Sequence, residues 1–536
     1  STQSQSQRQA RTMRSRGSPR AGRLASAAAA AALGLLLLQS IPSLAPPLHV
    51  SACTTLAVAR RASLDGSVFA AHSNDWASDP SPGALSLVPA ARHPEGSVRS
   101  VSHGAIPQAA RTFRYLTGGY GAANEYGLGV AESTCRNRPW PREAENAGAL
   151  DIVDLSRIVL ERARTAREGV GLMGALAERH GYRDAAESLL VVDPGEAYIF
   201  HVLRSPAPVG AVWAAQRVPD GHVAVVANAF TIREIDFDAP EDFLYSENMV
   251  ALAEEAGFYA PPSPFDFTRV FGGGAGPQYA SGRRMWRAYS LLAPGVNLNA
   301  TYEDYIRDAP YPATIPASNV SKSLLFQTMR DFYANTPYAL DKGMAAGFAG
   351  NPTRWSPGEG EKEVQGAWER PISLYRSQIS FVLQLPREGP TPFVHYSPNA
   401  AHSGTYVPLS PRMSRLPPCV TNTTQWSKVE RWSLAWATRY IFNLMQMNWS
   451  RMYNAFSSAR LDFEDDTDRI LRDLPLNATS ELLDDELGAR SEQAVDWLWG
   501  LSDALMAKFA NNGGGPEGYP AWWLSSPEVG YTEGPH

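Results

Sequence analysis

Cys53 could combine a nucleophile and its base in a single residue. Before it lie a basic stretch and an apolar segment, and after it the chain becomes globular at once with Thr54–Val58. If the chain is cut between Ala52 and Cys53, that residue presents a thiol and a free α-amine. A thiol is intrinsically nucleophilic, and an α-amine with a pKa of about 8 can accept its proton near neutral pH. Such a cut would create a minimal catalytic centre.

The segment before Cys53 is typical of a targeting peptide. Residues 1–23 carry six arginines and no acidic residue, and Leu24–Leu38 is apolar apart from one serine. This run is shorter than the roughly 20 residues of a membrane-spanning helix and fits the core of a signal peptide. The small residues Val50–Ala52 resemble a signal-peptidase site, although they lie far from the apolar run. An earlier cut would leave a short propeptide for Cys53 to remove, and a retained signal anchor is the alternative.

We therefore predict a signal peptide or propeptide over residues 1–52 and a destination in the secretory pathway, either extracellular or lysosomal/vacuolar. Five Asn-x-Ser/Thr sequons agree with this, because such sequons accept glycans in that pathway. The predicted glycosylation sites are Asn299, Asn319, Asn422, Asn448 and Asn477.

The chain has only three cysteines. If Cys53 is the nucleophile, Cys135 and Cys419 remain, and an oxidising compartment would allow them to form a disulfide. The alternative is that both are buried free thiols.

Composition describes an ordinary globular protein with a net charge of -6. No basic patch interleaved with aromatic residues indicates nucleic-acid binding. No His-Glu-x-x-His helix or Gly-x-Ser-x-Gly turn indicates a zinc peptidase or a serine hydrolase. We predict a catalytic domain over residues 53–510 with a helical C-terminal portion, followed by an extended tail over residues 511–536.

Alternation and helical periodicity predict strand pairs first, then helices, strands again and helices last, which indicates an α+β layered fold. Consecutive strands are expected to pair as hairpins. The predicted strands are Thr54–Ala59, Ser67–Ala71, Thr112–Leu116, Leu128–Ser133, Leu189–Val192, Ala197–Val202, Val212–Val218, Val223–Ala227 and Gln378–Leu385. The predicted helices are Asp151–Arg167, a second one ending at His180, Ser246–Phe258, Gly282–Leu292, Trp432–Ser457, Phe463–Leu474 and Ser480–Phe509.

An ordered set of short blocks resembles the C69 dipeptidases, which are N-terminal-nucleophile hydrolases related to penicillin V acylase and bile salt hydrolases. The blocks are Cys53–Thr55, Ser63–Ser67, His72–Trp76, Asn124–Leu128, Val153–Leu155, Arg164–Glu168, Asp193–Ala197, Ala227–Thr231 and Arg283–Arg287. The resemblance implies a four-layer αββα sandwich with the mature N-terminus on a central strand. It also implies hydrolysis of dipeptides or related amides, and we expect no metal or organic cofactor.

The resemblance implies roles for four residues. Cys53 would attack the carbonyl carbon, and its own amine would take the thiol proton and later protonate the leaving amine. Asp75 corresponds to the carboxylate that holds this amine, and Asn228 to the oxyanion-hole amide. Arg284 corresponds to an arginine near the nucleophile, where a cation would favour the thiolate, although its neighbour Arg283 fits almost as well. Helix, turn and capping roles are the structural alternatives.

Two positions depart from the commonest pattern. His72 stands where an arginine often occurs, and a histidine titrates near physiological pH. The second oxyanion donor, an asparagine side chain in bile salt hydrolases, is replaced here by Thr134 or by backbone N–H groups. Asn124 and Glu125 are expected to shape a turn behind the site.

The sequence thus predicts a secreted or endomembrane thiol protease of the dipeptidase type that acts on a small peptide or amide substrate. One alternative is an N-acyl amidase of the penicillin acylase type, and another is a non-catalytic scaffold similar to the secernins. An apolar pocket for an acyl group could come from aromatic residues of the middle segment, namely Tyr302, Tyr305, Tyr311, Phe332 and Tyr333. Membrane association is expected only if the signal segment is retained, and a homo-oligomer is compatible with the sequence.

Overall fold

The computed structural model describes residues 53–75, 84–273, 280–300, 311–355, 368–421, 428–509, 519–527 and 529. The predicted targeting segment, the sequon at Asn422, and Tyr302 and Tyr305 lie outside these residues. The strands are β1 (Thr54–Val58), β2 (Val68–Asn74), β3 (Ser86–Val88), β4 (Ala91–Arg92), β5 (Val98–Val101), β6 (Gly104–Pro107), β7 (Arg111–Thr112), β8 (Tyr115–Gly118), β9 (Tyr120–Asn124), β10 (Gly129–Thr134), β11 (Ala186–Val192), β12 (Ala197–Arg204), β13 (Ala211–Val218), β14 (His222–Val226), β15 (Phe243–Tyr245), β16 (Ile315–Pro316), β17 (Ile379–Leu385), β18 (Phe393–Pro398) and β19 (Val407–Leu409). The helices are α1 (Ile152–Arg162), α2 (Ala166–His180), α3 (Met249–Glu255), α4 (Phe267–Phe271), α5 (Ser281–Leu292), α6 (Lys322–Met329), α7 (Pro418–Thr421), α8 (Leu434–Met445), α9 (Trp449–Asp473), α10 (Ser480–Phe509) and α11 (Ala521–Leu524).

Two large antiparallel sheets form the centre of the fold. The first has the strand order β16-β14-β1-β2-β17-β18-β19, and the second has the order β15-β13-β12-β11-β10-β9-β8-β3. Strands β1 and β2 pack against β10 and β11, so the two sheets lie face to face. Between them lies an apolar core that includes Ala57 and Val226 from the first sheet and Leu190 and Val192 from the second.

Helices cover both outer faces of this pair of sheets. Helices α1 and α2 pack on the second sheet through a second apolar cluster that includes Ile158 and Val170. Helices α5 and α6 pack on the first sheet through a third cluster that includes Met285 and Leu325. The predicted α+β fold with αββα layers is therefore confirmed, and α8, α9 and α10 form the predicted helical C-terminal portion beside β18 and β19.

The hairpin predicted from Val212–Val218 and Val223–Ala227 is wrong, because the two strands belong to different sheets. Strand β13 pairs with β12 and β15, whereas β14 pairs with β1 and β16. The turn between them is held by the first sheet, since Arg61 and Ala62 donate their backbone N–H groups to the Asp220 carbonyl oxygen. Because of these bonds, the chain leaves the second sheet before β14 begins.

Several predicted helix ends also differ from the structure. The helix expected over Asp151–Arg167 ends at Arg162, because Thr165 caps the next helix by accepting a hydrogen bond from the Glu168 backbone N–H. Helix α9 is continuous where the sequence predicted two helices, and the predicted extended tail contains the single-turn helix α11.

The predicted disulfide between Cys135 and Cys419 is wrong. All three cysteines lie among the described residues, and none of them forms a disulfide. The Cys135 thiol donates a hydrogen bond to the Ser133 carbonyl oxygen, and Cys419 lies in α7 within the apolar core. Burial raises the pKa of both thiols, so the two residues behave as inert core side chains.

Within the described part of the chain, the helices are too short or too polar to cross a membrane.

A buried histidine holds the turn that follows β14. His201 on β12 accepts hydrogen bonds at Nε2 from the backbone N–H groups of Thr231 and Ile232, at 2.8 and 3.2 Å. Burial lowers the pKa of His201 to about 3, because a charged ring would lose water and could no longer accept these bonds. The neutral ring thus fixes the segment immediately after Asn228.

We predict that replacing His201 makes the protein less sensitive to acid. The folded-state pKa of about 3 lies below the usual value near 6.5, so the unfolded chain binds more protons in that window. Stability is therefore lost as the pH falls below 6.5, by up to about 1.4 kcal/mol per pH unit for this group. In urea unfolding between pH 6.5 and 4.5, His201→Gln should show a shallower decline of the midpoint than the wild type. The exposed His103→Gln is the control, and equal declines for all three proteins would contradict the prediction.

Candidate active site

Cys53 lies immediately before β1 and has no exposed surface. Strand alternation puts it on the same side of the sheet as Ala57, facing the second sheet. Burial, together with the negative charges of Glu132 and Asp75, raises the pKa of the Cys53 thiol well above its usual value, although the Asp75 backbone N–H bonds the sulfur and opposes this. The thiol is therefore protonated at neutral pH.

Arg284 fixes the backbone on which the thiol is carried. Its guanidinium donates at 2.9 Å to the Cys53 carbonyl oxygen, at 2.9 Å to Thr54 Oγ1 and at 2.7 Å to Asn228 Oδ1. The side chain is completely buried, and α5 presents it from the outer face of the first sheet. Burial and the two carboxylates raise the pKa of the thiol even with this cation at the Cys53 carbonyl oxygen, and the expectation that Arg284 favours the thiolate stays a prediction. Its neighbour Arg283 lies elsewhere, with its guanidinium 3.6 Å from the Tyr338 ring centre.

Asn228 occupies the turn after β14 with a φ of 61°, a left-handed conformation that asparagine tolerates better than most residues. Its backbone N–H donates to Ser133 Oγ at 2.9 Å, and Nδ2 donates to the Thr134 carbonyl oxygen at 2.8 Å. An amide nitrogen carries two hydrogens, so the second one remains for a ligand. The Asn228 side chain is half-buried, so solvent reaches the site on the side where Asn228 lies.

Asp75 lies at the end of β2 and is completely buried. Arg370 donates to its Oδ2 at 2.6 Å, and Ser377 donates to Oδ1. Burial raises the pKa of Asp75, and the positive charge of Arg370 opposes that shift. Burial lowers the pKa of Arg370 to about 9, which still leaves it charged at pH 7. The carboxylate is thus fixed in the interior, close enough to Cys53 to raise the pKa of its thiol.

His72 faces an acidic pair rather than open solvent. Its Nε2 lies 3.7 Å from Glu132 Oε2, and both residues are about 1 % exposed. Burial opposes ionisation of Glu132, but His72 and a hydrogen bond with Glu187 outweigh it and lower the pKa of Glu132. Burial and the charge of Glu132 raise the pKa of Glu187 well above its usual value, so Glu187 is the protonated partner. Cys53, His72 and Glu132 are also a set of side chains that could hold a metal ion.

Two of the predicted site residues have structural roles. The Thr134 hydroxyl donates to Glu132 Oε1 at 2.9 Å, so its single hydrogen is not directed at a substrate. Asn124 is buried and uses its whole amide to bind the turn after β9 to the end of α1.

Three of the sequons, Asn299, Asn319 and Asn477, are exposed. Asn448 is 4 % exposed, which opposes glycan attachment there.

Four residues of the site were not predicted to take part, namely Glu132, Ser133, Arg370 and Ser377. Glu132 carried a usable signal, because a charged residue inside an otherwise apolar strand needs a partner. No such signal was present for Arg370 and Ser377, because they follow Asp75 by about 300 residues in a stretch without clear periodicity.

The comparisons with known proteins agree with one family. The peptidase family C69 matches residues 52–462. A probable dipeptidase of Latilactobacillus sakei is 23% identical over 355 residues, which cover 63% of this chain and 69% of that protein. Dipeptidase A of Lactobacillus helveticus is 22% identical over 496 residues, which cover 86% of this chain and 97% of that protein.

Among solved structures, penicillin V acylase from Agrobacterium tumefaciens aligns with 68% of this chain and 87% of its own, at 14% identity and a TM-score of 0.29. A score this low does not support an argument from similarity, and the layer architecture stands on the strand pairing described above. The family match covers most of the chain and includes Cys53, Asp75, Asn228 and Arg284. The chain belongs to peptidase family C69.

Proposed function

We propose that this peptidase is a cysteine dipeptidase of the secretory pathway whose nucleophile is Cys53 at the N-terminus of the mature chain. The observation that carries the proposal is the set of contacts at Cys53. The Arg284 guanidinium donates to its carbonyl oxygen and also to Asn228 Oδ1, and the Asp75 backbone N–H bonds its sulfur. Dipeptides as substrates are supported by the relatives from L. sakei and L. helveticus, which are named a probable dipeptidase and dipeptidase A.

The protonated thiol determines the order of events. Because the pKa of Cys53 is raised, a proton must leave the sulfur as it attacks the peptide carbonyl. A cut before Cys53 would free an α-amine separated from the sulfur only by the Cα and Cβ atoms of the same residue, and this amine can accept the proton. The buried Asp75 carboxylate would then stabilise the ammonium form. The same ammonium group would protonate the leaving amine, and water would hydrolyse the thioester.

Asn228 would stabilise the oxyanion that forms during attack. Its Oδ1 is held by Arg284 and one Nδ2 hydrogen by Thr134, so the amide cannot rotate freely. The remaining Nδ2 hydrogen is thus preorganised, and a preorganised donor stabilises developing charge without a reorganisation cost.

The described residues give no specific support to an acyl-binding pocket. Tyr311 is buried in the third apolar cluster, and Phe332 packs on Trp449 and Tyr453. Tyr333 is completely buried and donates its hydroxyl to the Arg370 carbonyl oxygen. These aromatic side chains stabilise the core and the arginine beside Asp75, so we favour a dipeptide over an N-acyl amide.

We predict that the Cys53 thiol is required for turnover. Cys53→Ala should lower kcat/KM for a panel of dipeptides by roughly 10⁴-fold or more, because no other group can form the thioester. Cys53→Ser should keep only a small fraction of the wild-type activity, since a hydroxyl is a weaker nucleophile than a thiol. Cys419→Ala, which removes a buried thiol from α7, should keep wild-type turnover. Unchanged hydrolysis by Cys53→Ala would exclude this mechanism.

We predict that the active chain begins at Cys53. Two purified proteins should be compared, one starting at Cys53 and one that keeps Ala52, with intact mass read before and after the assay. The first should hydrolyse dipeptides, and the second should be inactive unless its mass shows that Ala52 has been removed. Equal activity of an intact Ala52-containing chain would show that the α-amine is not the base.

We predict that the Asn228 amide is required for the full kcat. Asn228→Gly keeps the left-handed backbone accessible but removes the amide, and it should lower kcat by about 10²- to 10³-fold. The matched control is Asn335→Gly, which changes an exposed asparagine with a φ of 59°. The control should have wild-type kcat. If the two variants have equal kcat, Asn228 does not contact the oxyanion.

A further inference from the structure

Three potential metal ligands meet at the proposed active site. One ligand atom each from Cys53, His72 and Glu132 lies within 4.8 Å of the other two. Cys53 precedes β1 and His72 lies on β2, both in the first sheet, whereas Glu132 lies on β10 in the second. The hydrogen-bonded strands fix the backbone positions of all three, so the cluster is part of the rigid interior.

Three buried polar atoms of His72 and Glu132 have no hydrogen-bond partner among the described residues. Among the described residues, neither ring nitrogen of His72 has a hydrogen-bond partner, and neither does Glu132 Oε2. A buried polar atom without a partner destabilises the folded state. The other Glu132 oxygen is held by the Thr134 hydroxyl, which directs the partnerless oxygen towards His72. An imidazole nitrogen and a carboxylate oxygen that face each other in this way can be satisfied together by one cation.

The donor types select the cation. A thiolate, an imidazole and a carboxylate are the ligands of Zn²⁺, whose bonds to S, N and O measure about 2.3, 2.0–2.1 and 2.0–2.2 Å. Tetrahedral coordination at these lengths puts the ligand atoms about 3.3–3.6 Å apart. The 3.7 Å between His72 Nε2 and Glu132 Oε2 is already close to that spacing. One thiolate and one carboxylate also balance the charge of one Zn²⁺.

We propose that Cys53, His72 and Glu132 form a Zn²⁺ site and that zinc bound there silences the nucleophile. On binding, the thiol proton passes to solvent and the sulfur lone pair is shared with the metal, so the sulfur cannot attack a carbonyl. In a chain that begins at Cys53 the α-amine can occupy the fourth position through a five-membered chelate ring. The inhibition, but not the three-side-chain site, therefore rests on the proposed function. Zinc is an inhibitor here and takes no part in turnover.

Zinc binding is tested first on the wild-type chain. After treatment with a chelator and its removal, the protein should bind one Zn²⁺ in calorimetry, and Co²⁺ should give a thiolate-to-cobalt charge-transfer band. Mass spectrometry should show that Zn²⁺ slows alkylation of Cys53 by iodoacetamide at least tenfold, with no effect on Cys135 or Cys419. Dipeptide hydrolysis should fall with one bound zinc and return when chelator is added.

Matched variants locate the ligands. Glu132→Gln and His72→Gln should each weaken zinc binding by more than the roughly 10- to 100-fold caused by loss of an outer partner. Glu187→Gln changes the neighbouring protonated acid and should bind zinc like the wild type. Absence of the cobalt band, or equal zinc affinity in Glu132→Gln and Glu187→Gln, would overturn the site.

The same measurements separate this inference from the proposed function. A chain that starts at Cys53 and cleaves dipeptides, but neither binds zinc nor is protected from alkylation, contradicts the zinc site alone. A chain that binds zinc at Cys53 but shows no dipeptide hydrolysis without zinc contradicts the proposed function alone.

Discussion

One buried guanidinium fixes the two halves of the site relative to each other. Arg284 is completely buried, and a buried charge is tolerated only when its donors are matched by acceptors. Its donors reach the Cys53 carbonyl oxygen, Thr54 Oγ1, Asn228 Oδ1 and the Ala280 carbonyl oxygen. Because a guanidinium is planar and its donors are rigidly arranged, a shift of either the β1 end or the Asn228 turn would break bonds to the other. Cys53 and the Asn228 amide are therefore positioned as one unit.

The charges around this unit are divided between two sides. Asp75 has a full cationic partner in Arg370, whereas Glu132 faces His72, the protonated Glu187 and the Thr134 hydroxyl. Burial and these two carboxylates keep the thiol of Cys53 protonated, so the resting site is unreactive. The proposed mechanism therefore needs a proton acceptor for the thiol, and it assigns that role to the α-amine of Cys53.

The sequence predicted what local patterns determine. Alternation located β1 and β2, and helical periodicity located α5, which carries Arg284. Neighbouring strands were predicted to pair because hairpins are common, and this failed at β13 and β14, where the Asp220 carbonyl oxygen is bound by Arg61 and Ala62 of the other sheet. Arg370 and Ser377 could not be predicted from the sequence. They bond Asp75 because a buried carboxylate needs partners, and no sequence pattern near them indicates this contact.

The second sheet also supplies residues of the candidate site. Its strand β10 supplies three consecutive residues with different tasks: Ser133 accepts the Asn228 backbone N–H, the Thr134 carbonyl oxygen holds the Asn228 amide, and Glu132 faces His72. A one-residue shift of β10 would reverse every one of these side chains, since alternate residues face opposite sides of a strand. Six consecutive Cα pairs with β11 resist such a shift. The sheet register therefore sets the chemistry at Cys53 as directly as the residues that touch it.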